Sequence, residues 1–117
     1  MIFVTGPLYA GKRTYACRLL GIDPSTEALD SRVLRDAHDL AASCSEADLD
    51  ALATSLAARY EVVIATEVGA GVVPVDPVER RSRERAGRLA CLLAERATSV
   101  VRLCCGIPQP LKGDLPC

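Results

Sequence analysis

One stretch constrains the fold more than any other: GPLYAGKRT, residues 6–14, directly follows the short apolar opening MIFVT. It nearly matches the phosphate-binding pattern G-x-x-x-x-G-K-[ST], whose glycines let backbone N–H groups curl around phosphate oxygens. Gly6, Gly11 and Lys12 fit the pattern. We therefore expect a buried first strand, a phosphate loop at residues 6–14, and a helix whose N-terminal dipole faces the ligand. The nucleotide-binding residues predicted from the loop are Gly6, Pro7, Leu8, Tyr9, Ala10, Gly11, Lys12, Arg13 and Thr14.

The two positions after the last glycine decide what this loop can do. Lys12 is one of only two lysines among fourteen basic residues, and a flexible ammonium there suits contact with β- and γ-phosphates. The hydroxyl that ligates Mg²⁺ in the standard pattern is replaced by Arg13, and Thr14 lies about 100° further around the helix. Metal is therefore expected to be held differently or weakly, with Thr14 as one candidate ligand. The alternative is a plain strand-to-helix turn.

Strand and helix patterns alternate along the rest of the chain. The predicted strands are 2–5, 61–66 and 99–105, and the predicted helices are 11–20, one opening at Ser45 with a capping box to Asp48, and 77–96. Residues 27–43 fit either a helical stripe or a short strand, RVLRD, that runs into a helix. The alternation favours an α/β fold, a P-loop NTPase-like three-layer arrangement with a small, mostly parallel sheet. We expect a single domain over residues 1–117, with 106–117 as an irregular tail.

Composition excludes several classes of function. The net charge of −1 argues against nucleic acid as the main partner. No apolar run approaches the roughly 20 residues that span a bilayer, and the N-terminus lacks the basic start of a secretory signal. A single histidine and six cysteines without a C-x-x-C pair support no zinc site. These features together predict a cytoplasmic protein.

Two glycine-rich loops, 6–11 and 67–74, each follow a predicted strand. Because ligands of such sheets bind at the carboxyl ends of the strands, both loops should lie at one edge and form the site. Glu67, Gly69 and Gly71 of the second loop are the candidate residues there for contacting substrate.

The second loop also carries a family resemblance. EVGAGVVP at 67–74 is followed by ERRSRERAGRL at 79–89 and GIPQPLK at 106–112. In this order and spacing, behind the phosphate loop, these stretches resemble the adenosylcobinamide kinase / adenosylcobinamide-phosphate guanylyltransferase family. The resemblance covers residues 1–20 and 61–112.

That resemblance implies a role late in cobalamin assembly in the cytoplasm. It implies ATP or GTP with Mg²⁺ as cofactors, and phosphorylation of the aminopropanol hydroxyl of adenosylcobinamide. It also implies transfer of GMP onto the product through a guanylylated histidine, and a trimeric assembly.

The chain departs from the family between its first helix and VLRDAHDL at 33–40. By the resemblance Asp36 matches the family's acid and is the second catalytic candidate beside Lys12, whereas the block that bears the nucleotide-accepting histidine is missing. His38 falls on the wrong side of that acid, so we expect a helix-surface residue rather than a nucleophile.

Two of the acidic candidates carry a structural alternative. Asp36 is expected to hold a metal ion through water, or else to cap a helix. Glu67 is expected to orient metal or substrate, or else to accept backbone N–H groups of its own loop. Gly87, inside the long helix, predicts close packing or the close approach of a ligand at that point, and we favour packing.

These observations support three hypotheses. The first is a cobinamide kinase that has kept the phosphoryl-transfer half of the family's chemistry. The second is a relative that binds nucleotide or a partner without turnover, which Arg13 and the missing histidine block favour. The third is a kinase of the same fold that acts on a different small molecule.

Overall fold

A central sheet of five strands organises the protein. The computed structural model describes residues 1–23, 31–67 and 76–113. The strands are β1 (Ile2–Gly6), β2 (Val33–Leu34), β3 (Val62–Thr66), β4 (Ser99–Cys104) and β5 (Ile107–Lys112), in the spatial order β2-β3-β1-β4-β5. All neighbouring pairs are parallel except β4 and β5, which are antiparallel. The predicted α/β class with a mostly parallel sheet is confirmed.

Helices cover both faces of this sheet. They are α1 (Lys12–Leu20), α2 (Ala37–Ala42), α3 (Leu49–Arg59) and α4 (Pro77–Arg96), with one 3-10 turn at Glu46–Asp48. Phe3, Val63 and Val100 of the sheet belong to the apolar cluster of α2, α3 and α4, whereas Val4 and Val101 belong to the cluster of α1. Because successive strand residues point to opposite faces, the two clusters are the two outer layers of a three-layer fold. None of the helices among the described residues is both long and apolar enough to cross a bilayer.

The helix ends are built from residues that favour helix termini. Gly21 ends α1 in the left-handed conformation, with φ of 68°, which glycine adopts without strain. Asp76 begins α4 by accepting a hydrogen bond from the N–H of Val78 at 3.0 Å, and Pro77 takes the first helical position. RVLRD does form a short strand that runs into a helix, namely β2 followed by α2.

The prediction of an irregular tail at 106–117 is wrong for residues 107–112, because these residues form the edge strand β5. Pro108 and Pro110 misled the prediction because proline cannot donate to a sheet ladder. They occupy alternate positions of an edge strand, opposite Leu103 and Val101. Only every second N–H of such a strand points to its neighbour, so prolines in that spacing leave the pairing intact.

Two further local predictions are corrected. The helix predicted to open at Ser45 begins with a 3-10 turn, and the Ser45 hydroxyl bonds the Asp48 carboxylate at 2.8 Å rather than a backbone N–H. Packing does not require glycine at position 87, because a Cβ on Gly87 would lie within 4 Å of no described atom.

Candidate functional site

The phosphate loop begins where β1 leaves the sheet, and glycine is required at both of its ends. Gly6 has φ of 147°, and a Cβ on it would overlap the carbonyl oxygen of Leu103 on the neighbouring strand. Gly11 has φ of 93° and directly precedes α1. Both values lie in the region that side chains with a Cβ rarely adopt. The two glycines therefore fix how the chain turns from strand to helix.

Hydrogen bonds from both neighbouring strand ends hold this loop in place. The N–H of Glu67, just after β3, donates to the carbonyl of Gly6 at 2.9 Å. On the other side, the N–H of Gly106, between β4 and β5, donates to the carbonyl of Ala10 at 2.9 Å. The start of the second glycine-rich loop thus lies beside the first, as predicted for residue 67. Gly69 and Gly71 lie outside the described residues.

Lys12 is buried, with 8% of its surface exposed, and its ammonium donates to the carbonyl of Pro7 at 2.6 Å. Burial lowers the pKa of Lys12 from its ordinary value, and the nearby charges of Asp36 and Glu67 oppose that shift. The side chain of Lys12 therefore folds back onto its own loop. It is the one buried charged side chain among the described residues, and the carbonyl of Pro7 partly compensates for its burial.

A cavity of about 240 Å³ opens beside the loop. Residues 8–14 line one side of it, and Arg35, Asp36, Ile64 and Thr66 line the other. The structure thus brings together most of the predicted loop residues and the predicted acid. Its basic side chains, Lys12, Arg13 and Arg35, outnumber its one carboxylate, which suits an anionic ligand such as a phosphate chain.

Asp36 lies at the helix position where the sequence allowed a cap, but its side chain does not act as one. It occupies the N-cap position of α2 with φ of 53°, but its carboxylate makes no capping hydrogen bond. The side chain is exposed and lines the cavity that Lys12 also lines. A carboxylate that does not cap its helix is available to a ligand in that cavity.

The donor set around the cavity fits magnesium only in its phosphate-bound form. Within residues 1–23, 31–67 and 76–113, no three His, Cys, Asp or Glu side chains form a group that could hold a metal ion. Magnesium keeps several waters and is often held by one or two protein oxygens plus substrate phosphates. Asp36 and Thr14 line the same cavity and offer a carboxylate and a hydroxyl.

Glu67 is engaged by a residue that the sequence did not single out. Arg102 of β4 contacts both of its carboxylate oxygens, at 2.6 Å from Nε and 3.1 Å from Nη2. This bond raises the pKa of Arg102 above its ordinary value. The pair spans β1, since β1 lies between β3 and β4 in the sheet. An arginine in the otherwise apolar stretch VVRLC was the available signal for this contact.

His38 is not the helix-surface residue that the sequence predicted. Its Nδ1 accepts a hydrogen bond from the N–H of Thr66 at 3.1 Å, and its side chain is 18% exposed. Its Nε2 lies 3.4 Å from the Asp39 carboxylate. The imidazole ties the start of α2 to the end of β3. The prediction failed because sequence spacing alone does not show that α2 packs against β3.

A second, smaller cavity of about 170 Å³ lies on the other side of the loop. Gly11 and Thr14 line both cavities, and Tyr15, Arg18 and Gly106 complete the second one. The loop and the start of α1 therefore separate two compartments. Sequence reasoning missed the second compartment because Gly106 reaches the loop only through the β4–β5 turn.

Comparisons with known proteins relate the chain to one family. Residues 22–111 match the model of a family described as cobinamide kinase / cobinamide phosphate guanyltransferase. The chain is also 40% identical over 53 residues to the bifunctional adenosylcobalamin biosynthesis protein CobP of Pseudomonas aeruginosa, a match that covers 45% of this chain. The match covers 31% of that relative's length. The family match begins beyond α1, so it does not include residues 6–14, and phosphate binding by that loop stays a prediction.

Proposed function

The chain belongs to the cobinamide kinase / cobinamide phosphate guanyltransferase family, and on that premise we propose that it phosphorylates a cobinamide-type acceptor from ATP or GTP. The observation that carries the proposal is the meeting of Lys12 and Asp36 in one cavity at the carboxyl end of β1. A glycine-bounded loop, a buried ammonium and a carboxylate that makes no capping hydrogen bond are parts that phosphoryl transfer uses.

The two compartments suggest how a nucleotide would lie. The phosphates would follow the backbone N–H groups of residues 10–14 and the start of α1. The terminal phosphate would reach the larger cavity with Lys12 and Asp36, and the nucleoside would lie toward the smaller one. Lys12 would exchange the carbonyl of Pro7 for phosphate oxygens, since an ammonium bonds an anion more strongly than a neutral carbonyl.

The reaction itself needs mainly positioning and neutralisation of charge. The acceptor hydroxyl oxygen forms a bond to the γ-phosphorus, the bond from that phosphorus to the β-phosphate oxygen breaks, and the hydroxyl proton leaves to solvent. Asp36 and the Thr14 hydroxyl would hold Mg²⁺ through water. When bound, Mg²⁺ neutralises charge that develops on the phosphates. Lys12 contributes a fixed positive charge to the same end.

We do not extend the proposal to guanylyl transfer through His38. The Nδ1 of His38 is already bonded to the backbone of Thr66, and Nε2 lies beside Asp39. His38 is absent from the lining of the 240 Å³ cavity. A nucleophilic imidazole must reach the α-phosphate, and this one is used to join two elements.

Arg13 favours a second candidate function, nucleotide binding without turnover. Arg13 takes the position where the standard loop offers a hydroxyl to the metal, and Arg13 lines the 240 Å³ cavity. In that case the protein would bind nucleotide and transfer nothing. A kinase of the same fold with another acceptor would instead turn over, but not on cobinamide.

A phosphorylation assay separates these candidates. Cobinamide and γ-labelled ATP or GTP are incubated with the protein and Mg²⁺, and label on cobinamide is measured. We expect transfer that falls at least about tenfold in Asp36→Asn, as is typical when a group at the reacting phosphate is removed. Asp39→Asn, on the same helix but outside the cavity, serves as the matched control.

Label retained by nucleotide, with tight nucleotide binding, would favour the binding-only candidate. Hydrolysis without labelled cobinamide would favour another acceptor. A separate incubation with α-labelled GTP, followed by denaturation, should leave no label on the protein. Label on His38 would contradict the account of that residue.

The remaining features of the proposal come from the resemblance. We propose that the protein works in the cytoplasm and associates as a trimer. The net charge of −1 argues against nucleic acid as the main partner.

A further inference from the structure

The tip of the phosphate loop carries two apolar side chains that the fold does not use. Tyr9 is 94% exposed and Leu8 is 65% exposed. The chain has only three tyrosines, one phenylalanine and no tryptophan, so an almost fully exposed aromatic ring is unusual here. Neither residue belongs to an apolar cluster of the core. Binding of phosphate, which uses backbone N–H groups and Lys12, gives these side chains no role.

Tyr9 also holds a backbone conformation that disfavours a side chain. Its φ is 61°, in the left-handed region that glycine adopts more easily. Burial of the ring does not compensate for this strain, because the ring is exposed. Strained residues of this kind occur at ligand contacts, where binding supplies the compensation.

The two side chains face one compartment and not the other. Leu8 and Tyr9 line the 240 Å³ cavity with Asp36, and neither lines the 170 Å³ cavity on the nucleoside side. A ligand that contacts both Tyr9 and Asp36 therefore lies in or over the 240 Å³ cavity, where the proposed function places the acceptor.

The size of the cavity determines which part of a cobinamide molecule contacts Leu8 and Tyr9. Pockets that enclose drug-sized ligands measure roughly 300–1,000 Å³, and the cavity here measures about 240 Å³. A corrin ring is larger than a drug-sized ligand. Only a slender arm of a cobinamide molecule can enter, so the ring must remain at the rim, where Leu8 and Tyr9 are exposed.

We propose that Leu8 and Tyr9 form an apolar shelf that binds the corrin ring of the acceptor while its hydroxyl-bearing arm enters the cavity toward Lys12. This inference rests on the proposed function. It assigns these two residues to recognition of the acceptor, in addition to the part their backbone takes in the phosphate loop. The aromatic face of Tyr9 and the branched side chain of Leu8 suit the methyl-bearing surface of a large ring.

Binding of cobinamide, with its visible absorbance as the signal, tests the shelf in equilibrium dialysis. The variants are Tyr9→Gly, Tyr9→Phe and Leu8→Ala, with Ile107→Ala as a matched control. Ile107 is 68% exposed and lines neither cavity. The dissociation constant of ATP is measured on each variant, and thermal unfolding checks that each folds.

We expect Tyr9→Gly to weaken cobinamide binding about tenfold or more, and by a clearly larger factor than it weakens ATP binding. Tyr9→Phe should retain the affinity, because the ring face is kept, and Ile107→Ala should match the unmodified protein. Tyr9→Gly should unfold at the same temperature or higher, since glycine relieves the strain.

Three results would overturn the inference, and they are distinguishable. Unchanged cobinamide affinity in Tyr9→Gly and Leu8→Ala would show that the ring lies elsewhere. An equal loss of ATP affinity would assign Tyr9 to the nucleobase. Failure of the unmodified protein to bind cobinamide would overturn the proposed function together with the shelf.

Discussion

The two faces of the central sheet differ in how they are built. On one face, α3 and α4 bury Leu49, Leu89 and Leu93 against Phe3, and all four side chains are almost completely inaccessible. On the other face, as far as the described residues go, one nine-residue helix, α1, follows a loop whose backbone includes two glycines and Tyr9 at positive φ. The first face is dominated by packed leucines, and the second includes a loop whose backbone is held at positive φ. The comparison indicates that substitutions on the first face should alter stability, and substitutions on the second face ligand affinity.

Leu93→Ala should produce the largest loss of stability, because it removes a buried side chain from the face covered by α3 and α4. Leu93 is completely buried on α4, so truncation leaves a cavity in the core. We expect the free energy of unfolding to fall by about 2–5 kcal/mol. Urea titration measures it, and Leu111→Ala, at a position 55% exposed on β5, is the matched control. A loss below that of the control would contradict the assignment of stability to this face.

Gly6→Ala should disturb the loop at residues 6–14, with a smaller loss of stability than Leu93→Ala. The new Cβ would overlap the carbonyl of Leu103, and the φ of 147° disfavours any side chain. We expect a loss of about 1–3 kcal/mol in stability, accompanied by a loss of ATP affinity that Leu93→Ala does not show in its folded fraction. Retained ATP binding in a folded Gly6→Ala protein would show that the loop conformation is not required.

The pH dependence of ATP binding should report on Lys12. Burial lowers its pKa below the ordinary value of 10.5, so the ammonium loses its proton earlier than an exposed lysine as the pH rises. Affinity should fall about tenfold per pH unit above that lowered pKa until the pKa of the ATP complex is reached. Stability should change in the opposite sense. Between the lowered pKa and 10.5 the unfolded chain binds more protons, so the free energy of unfolding rises with pH.

Calorimetric titration from pH 7 to 10.5 measures the affinity, and chemical unfolding over the same range measures the stability. An affinity that stays flat until pH 10.5 would contradict the burial of this group.

Gly87→Ala should give the smallest effect, and a favourable one. Gly87 lies within α4, and a Cβ there meets no described atom within 4 Å. Alanine should therefore stabilise the protein by about 0.5–1 kcal/mol. Gly21→Ala is the matched control, because its Cβ also meets no described atom but its φ is 68°, so it should destabilise. Stabilisation by both substitutions would contradict the role of backbone conformation.

How far the sequence predicts this molecule depends on the range of the interactions involved. The loop glycines and Lys12 were predictable, because each follows from local spacing and backbone chemistry. The apolar stripes likewise identified β1, β3, β4 and α4. The parallel order of these strands followed from their alternation with helices.

The features that sequence reasoning missed depend on tertiary contacts. Pro108 and Pro110 are tolerated only because β5 is an edge strand, which local propensity does not reveal. The partner of Glu67 is Arg102, 35 residues away, and the partner of His38 is the backbone of Thr66, 28 residues away. The positive φ at Tyr9 has no signal in residue type, since tyrosine rarely adopts it.

The most direct measurement of the central claim compares the chain's two lysines. Lys12 lies buried in the phosphate loop, whereas Lys112 lies on β5 and donates to the carbonyls of Ala94 and Glu95 at the end of α4. In calorimetric titration with ATP, we predict that Lys12→Ala weakens binding at least about tenfold, which corresponds to about 1.4 kcal/mol. Lys112→Ala should bind ATP as the unmodified protein does. Equal affinities for all three proteins would contradict the assignment of residues 6–14 as the phosphate-binding loop.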